Sequence, residues 1–392
     1  MSTDFTEVQR SMHVHLYRSF KTHLHCAQLL FIAPCQNHAP IPYFKQARFL
    51  VTAGTLAWIA ICGFQAIAQL IEVPMPFFTG VLYVNEVVLC IFISLQTMSR
   101  GYVEAERYKQ FMEKIYLVAV AIPCKEWTEI LTYLRVKLLW ICTLFGTIFS
   151  VALLLDFLHF GSFYATLFTL GAYLLPNTFA ATSLAQYYAG TVLIYKLQGE
   201  INQQLSTGRA PIDLERTKHL YLQLDSCAHL ITRSYELLIV TNVFAGINVT
   251  SLQLLEVYQY LHANDSKPLY LAYNMIWILL QLCLLLIVLY PSEMIKREQT
   301  RFGTILFEIT HQNESSEIAE DQQLTRLRLL TLGQKKIVST ACGVMKLELS
   351  SLSSIFVALL SFMIILIQFD SANLNKHNGA VTAIDSLYNS KA

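Results

Sequence analysis

The stretch LSSLSSIFVALLSFMIILIQFD, residues Leu349–Asp370, is the last long apolar run of the chain. It is long enough for a helix that crosses a bilayer core, which takes roughly 20 apolar residues. Its polar residues follow a pattern. Ser354, Ser361 and Gln368 recur every seven residues, and Ser350 stands one turn before Ser354. Seven residues of helix drift by only about 20°, so these side chains share one stripe, interleaved with Val357, Ala358, Ile364 and Ile365. Two readings fit. Small residues at this spacing let helices pack closely. Alternatively, the stripe lines a water-filled conduit, because an intramembrane Gln is costly unless it meets partners or water. Several copies of the helix around an axis would then form a ring of amides beside hydrophobic constrictions.

The rest of the chain has the same character. Its 392 residues are 54% hydrophobic and 14% charged, with mean hydropathy +0.45. Soluble domains carry about 25% charged residues, so the chain reads as an all-α, polytopic membrane protein. A net charge of +1 offers no bulk basic surface for nucleic acid. Six further runs, at 46–71, 77–98, 137–160, 162–190, 235–261 and 270–290, make seven expected spans with 350–369.

Basic residues decide the orientation. Residues 1–48 hold 5 Lys and Arg, 99–137 hold 7, 194–234 hold 5 and 291–349 hold 8, together 25 of the 28. The other side holds Lys267, Lys376 and Lys391. The positive-inside rule places the N-terminus in the cytosol, and seven spans place the C-terminus outside. This inverts the arrangement of a G protein-coupled receptor. The triplet Glu106-Arg107-Tyr108 is therefore read as a solvated helix end. The segment 214–238 is helix-patterned and runs into span five, and 326–343 is predicted to be helical up to a break at Gly343.

All nine cysteines fall in spans or in cytosolic segments in this topology, and none is placed for an extracellular disulfide. His13, His15, His23, His25, Cys26, Cys35 and His38 match no zinc spacing, and no metal or cofactor is expected. The spans hold no cluster of His, Asp and Glu suited to catalysis, and the chain is not expected to be an enzyme.

The stretch Thr340-Ala341-Cys342-Gly343, then Leu347-Glu348 and a helix ending Ser361-Phe362-Met363-Ile364-Ile365-Leu366-Ile367-Gln368-Phe369, resembles the C-terminal signature of insect gustatory receptors. That signature runs Thr-Tyr, five hydrophobics, Gln-Phe. Ser361 and Phe362 stand where Thr-Tyr is usual, which keeps a hydroxyl and loses a phenol. The resemblance covers about 30 residues of motif, while length and inverted seven-span topology agree over the whole chain. It implies a relative of the insect odorant receptors: a tetrameric, ligand-gated, non-selective cation channel opened by a small-molecule tastant, in the plasma membrane of sensory neurons. The last helix would line a central pore, with Gln368 and Phe369 at its outer constriction, Phe369 as gate, and Ile365, Ile364, Ser361 and Ser354 below. The implied organisation is a cytosolic segment 1–45, spans one to six with an outer pocket over 46–290, a cytosolic loop and anchor helix over 291–349, the pore helix 350–369 and an extracellular tail 370–392. The partners are a tastant, lipid, and copies of the chain or related subunits.

The resemblance also implies a ligand pocket in the outer half of spans two to six. Candidates there are Tyr83 and Glu86 in span two, Tyr164 and Tyr173 in span four, Gln253 and Glu256 in span five, and Tyr273, Asn274 and Trp277 in span six. An intramembrane carboxylate such as Glu86 either meets a cationic or hydroxyl-rich ligand or pairs with another helix. The aromatics fit either a pocket wall or an interfacial belt. Asp156 and His159, at the end of span three, are read as interfacial. Asn264, in the sequon Asn264-Asp265-Ser266, is a glycosylation candidate. An inverted metabotropic receptor with a separate transducer and a transporter are the alternatives.

Overall fold

In lipid, each backbone N–H and C=O must be bonded within its own segment, which turns apolar runs into helices. A computed structural model describes residues 42–72, 76–122, 127–207, 214–262, 268–312 and 340–389, with side chains described from Phe49 in the first helix and up to Phe369 in the last. The helices are α1 (Pro42–Glu72), α2 (Phe77–Val103), α3 (Ala105–Ala121), α4 (Trp127–Phe160), α5 (Phe163–Thr169), α6 (Leu175–Thr207), α7 (Leu214–His262), α8 (Pro268–Gln312) and α9 (Ser350–Asn389). A π turn, Leu170–Leu174, joins α5 to α6. The N-terminal His and Cys cluster, Asn264 and most of the segment 326–343 lie outside the described residues.

Among the described residues, six helices are long and apolar enough to cross a membrane. The expected fourth span, 162–190, is divided among α5, the π turn and the first half of α6. Pro176 accounts for the interruption. A helical proline has no N–H to give and its ring presses on the carbonyl four residues back, here that of Ala172. Widening that turn to π spacing relieves the clash. Gly161, with φ of +60°, makes the sharp turn from α4 into α5.

Helix α7 has 49 residues, about 74 Å at 1.5 Å per residue, far more than a hydrocarbon core of about 30 Å. Helices α6, α7 and α8 pack on one another, and α7 and α8, at 49 and 45 residues, are both longer than one crossing needs. Helix α3 packs on α7, burying Phe111, Ile115, Val118 and Ala119. The triplet is thus part of a packed helix: Arg107 is half exposed and bonded to Glu104 at 2.8 Å, while Glu106 faces solvent. Helix α6 runs through the centre of the main core because Ala180, Ala181, Ala185, Ala189 and Gly190 let its neighbours come close. A Cβ on Gly190 would collide with Ile231 of α7. Polar side chains join the helices in pairs: Asn85 to Asn248 at 2.8 Å, Gln96 to Thr241 at 3.0 Å, and Tyr187 to Ser292 at 2.9 Å.

Residues 340–343, predicted as the end of a helix, instead begin a small hairpin. Thr340–Ala341 pairs antiparallel with Met345–Lys346. The turn is closed by Val344 N–H donating to the Ala341 carbonyl at 3.0 Å. Cys342 and Gly343 both have positive φ, 51° and 68°, the turn that suits a twisted hairpin. Below it, Lys296 of α8 bonds Glu348 at 2.7 Å, so the start of α9 is tied to both α7 and α8.

Candidate functional site

A cavity of about 440 Å³ opens between α1, α2, the α4–α5 turn, the π turn, α7 and α8. This lies within the range of pockets that take small organic ligands. Eight of the nine candidate residues line it: Tyr83, Glu86, Tyr164, Tyr173, Gln253, Glu256, Tyr273 and Trp277. They come from distant parts of the chain, and all but Tyr164 are buried or half-buried. The ninth, Asn274, is fully buried behind the wall, beside Glu256 and Tyr270. Tyr164 stands at the rim, 68% exposed, edge-on to Phe168 with ring centroids 4.7 Å apart. Tyr273 and Trp277 meet edge-to-face at 6.2 Å.

The interfacial reading of Asp156 is corrected. It is 1% exposed and lines the cavity, with the Tyr273 hydroxyl against it. Tyr173 of the π turn also lies close to it. The side chain of His159 lies outside the described residues. Gln65 and Gln69 of α1, Phe168 and Tyr270 also line the cavity and were not singled out. For Asp156 a signal existed, a carboxylate within an apolar span. The α1 glutamines could be placed only by knowing which helix packs there.

Helix α9 has the opposite character. Only 17% of its most apolar window is buried, against 56% for α7. Among the described residues its one substantial neighbour is α7. Leu359, Met363 and Leu366 face inward and cluster with Leu252 and Leu255 of α7 and Leu82 of α2. Ser354, Ser361, Ile364, Ile365, Gln368 and Phe369 are all exposed. The geometry follows from the helical period: Ser361 and Gln368 each lie two residues, roughly 200°, from Leu359 and Leu366. Ser361 turns its hydroxyl to the Val357 carbonyl at 2.8 Å. Phe369 touches the body of the protein through Phe78 of α2, ring centroids 4.9 Å apart.

A family model described as 7tm Chemosensory receptor matches residues 43–373. The chain belongs to the 7tm chemosensory receptor family. It is a multi-pass membrane protein of a family of receptors, not enzymes. No curated protein matches this receptor in sequence. Its fold is similar to the insect olfactory receptor OR5 from Machilis hrabei, with TM-score 0.68 and 11% identity over 91% of this chain and 99% of that one. It is also similar to the same receptor in complex with eugenol, with TM-score 0.64 and 8% identity over 93% and 99% of the two chains. At such identity the likeness is one of fold.

In this receptor, α2 and α7 together stand between the cavity and α9. Tyr83 and Glu86 of α2 and Gln253 and Glu256 of α7 face the cavity. Leu82 of α2 and Leu252 and Leu255 of α7 face α9. Neighbouring residues on a helix differ by about 100°, so one helix presents both faces. The two helices are held in register by Asn248, which accepts from Asn85 and donates to the Leu82 carbonyl at 3.0 Å.

Proposed function

We propose that this receptor is a gustatory chemoreceptor that works as a ligand-gated, non-selective cation channel opened by a small-molecule tastant. The observation that carries the proposal is the shared α2–α7 wall. A ligand that moved Glu86 or Glu256 would move Leu82, Leu252 and Leu255 with them, and these hold α9. The exposed stripe of α9 supports the pore half of the reading. Four copies facing a common axis would give Ser354, Ser361 and Gln368 a wet environment, with Ile364, Ile365 and Phe369 as constrictions. The fold likeness to an olfactory receptor solved with eugenol supports a small organic ligand in the helical bundle. The resemblance at Gln368-Phe369 supports the gustatory branch, and with it the plasma membrane of sensory neurons.

The proposed orientation follows the basic residues: N-terminus in the cytosol, seven spans, C-terminus outside. The cavity then opens outward, since Ser162, Tyr164, Leu269 and Tyr270 on its lining adjoin the α4–α5 and α7–α8 connections.

The receptor expressed alone in cells should give a ligand-evoked cation current, with Gln368→Ala altering conductance or ion selectivity at unchanged surface expression. Unaltered currents in that variant would remove α9 from the pore. Sugar occupancy reports the orientation independently: a sequon engineered near Asn378 should be glycosylated and Asn313 should not. Sugar on Asn313 would invert the topology.

A further inference from the structure

We propose that the cavity is built for an organic cation, a protonated amine carried on an aromatic or alkyl body. The inference rests on the cavity being the ligand site. Three carboxyl side chains reach it from three helices: Glu86 from α2, Asp156 from α4 and Glu256 from α7. They are 4%, 1% and 6% exposed. Among the described residues the lining holds no Lys, Arg or His, and no opposite charge acts on any of the three. Burying one sign of charge without its counterpart is costly. Among the described residues no group of acidic, His or Cys side chains is gathered tightly enough for a metal ion. The carboxyls surround a volume of molecular size instead.

Unused hydrogen-bond capacity points the same way. The Trp277 indole N–H, a donor, is buried without a partner, and so are two acceptors, Asp156 Oδ2 and Gln253 Oε1. A ligand that satisfies the two acceptors must donate. An ammonium group only donates, and it carries the opposite charge. Aromatic side chains, Tyr83, Tyr173, Tyr273 and Trp277, wall the same space, and ring faces attract cations. A neutral polyol is the competing ligand, because its hydroxyls could serve these acceptors and also use Gln65 and Gln69. The charge asymmetry favours the amine: an ammonium gives a buried carboxyl an opposite charge beside which to ionise, whereas a polyol gives none.

The test is direct binding to the purified full-length receptor in lipid nanodiscs, read by calorimetry and by thermal stabilisation. The probes are a panel of arylalkylamines, each paired with the alcohol of the same skeleton, together with glucose and sucrose. At least one amine should bind, with its alcohol weaker by about tenfold or more. Glu86→Gln or Asp156→Asn should weaken that amine by a similar factor and its alcohol by less than about threefold. Alcohols or sugars that bind as tightly as the amines, a panel in which no amine binds, or amine binding unchanged in both variants would overturn the proposal. The amine–alcohol comparison stands on the unmutated protein, so a variant that fails to fold does not remove the test. Carboxyl-dependent amine binding without any current would sink the channel and leave the amine site. Currents evoked by uncharged compounds alone would do the reverse.

Discussion

Leu255→Ala cuts the wall between the cavity and α9 without touching either the cavity lining or the α9 stripe. Leu255 is 1% exposed and packs in the cluster with Leu359, Met363 and Leu366. In a soluble core, Leu→Ala costs about 2–5 kcal/mol. Three carbons at about 0.8 kcal/mol each, roughly 2.4 kcal/mol, are transfer from water. That part largely vanishes in a bilayer, where lipid tails are as apolar as leucine. Lost contacts and the cavity left behind remain, about 1–2 kcal/mol. If the α7–α9 contact differs between closed and open states, the gating equilibrium moves by that amount, about 5- to 30-fold at 1.4 kcal/mol per tenfold. The assay is a full concentration–response series of ligand-evoked current, normalised to surface receptor. Either the midpoint or the saturating current should change by that factor. Phe244→Ala is the control, because Phe244 lies on the same helix and is 62% exposed. Wild-type midpoint and saturating current in Leu255→Ala would refute the shared wall as the route of the signal.

Glu348→Gln breaks the ion pair that ties the start of α9 to Lys296. Its bond to Lys296 holds the Glu348 carboxyl below its usual range, and the same bond raises Lys296. Their stabilisation is therefore present at neutral pH, lost as pH falls through the lowered carboxyl value, and lost again as pH rises through the raised ammonium value. Lys296 is 39% exposed, so solvent screening holds the contribution to about 0.5–1 kcal/mol. The expected readout is a small fall in unfolding temperature at pH 7, vanishing once pH falls below the lowered Glu348 value, where both proteins have a neutral side chain at position 348. Gly190→Ala should lower the unfolding temperature more, because overpacking at the α6–α7 crossing costs about 1–3 kcal/mol. An unchanged melting curve would mean that Ile231 has room to turn away.

Much of the helical architecture could be read along the chain. Apolar runs, helix breaks and the period of α9 are local properties. Lipid leaves a backbone little choice but the helix, so composition predicts secondary structure unusually well here. The stripe of Ser354, Ser361 and Gln368 was visible because a period is written in the sequence. So was the value of Glu86, since a carboxylate among apolar residues has no cheap explanation. The π turn and the hairpin were less visible. Pro176 marks a disturbance without saying which helical form absorbs it, and the twist at Cys342-Gly343 appears only once two strands pair.

What the tertiary structure decided was which faces meet. The residues that line the cavity are separated by as much as 212 positions, from Gln65 to Trp277, and nothing local says that Glu86, Asp156 and Glu256 share a space. Asp156 illustrates the point: at the end of an apolar run it reads as interfacial, yet it is buried with Tyr273 of α8 against it. Nor does the sequence of α7 tell that Gln253 and Leu252, adjacent in the chain, look toward the cavity and the last helix. Those relations are set by the packing of helices against one another, where close approach at residues such as Gly190 and hydrogen bonds such as Asn85–Asn248 select one arrangement among many that apolar helices could adopt.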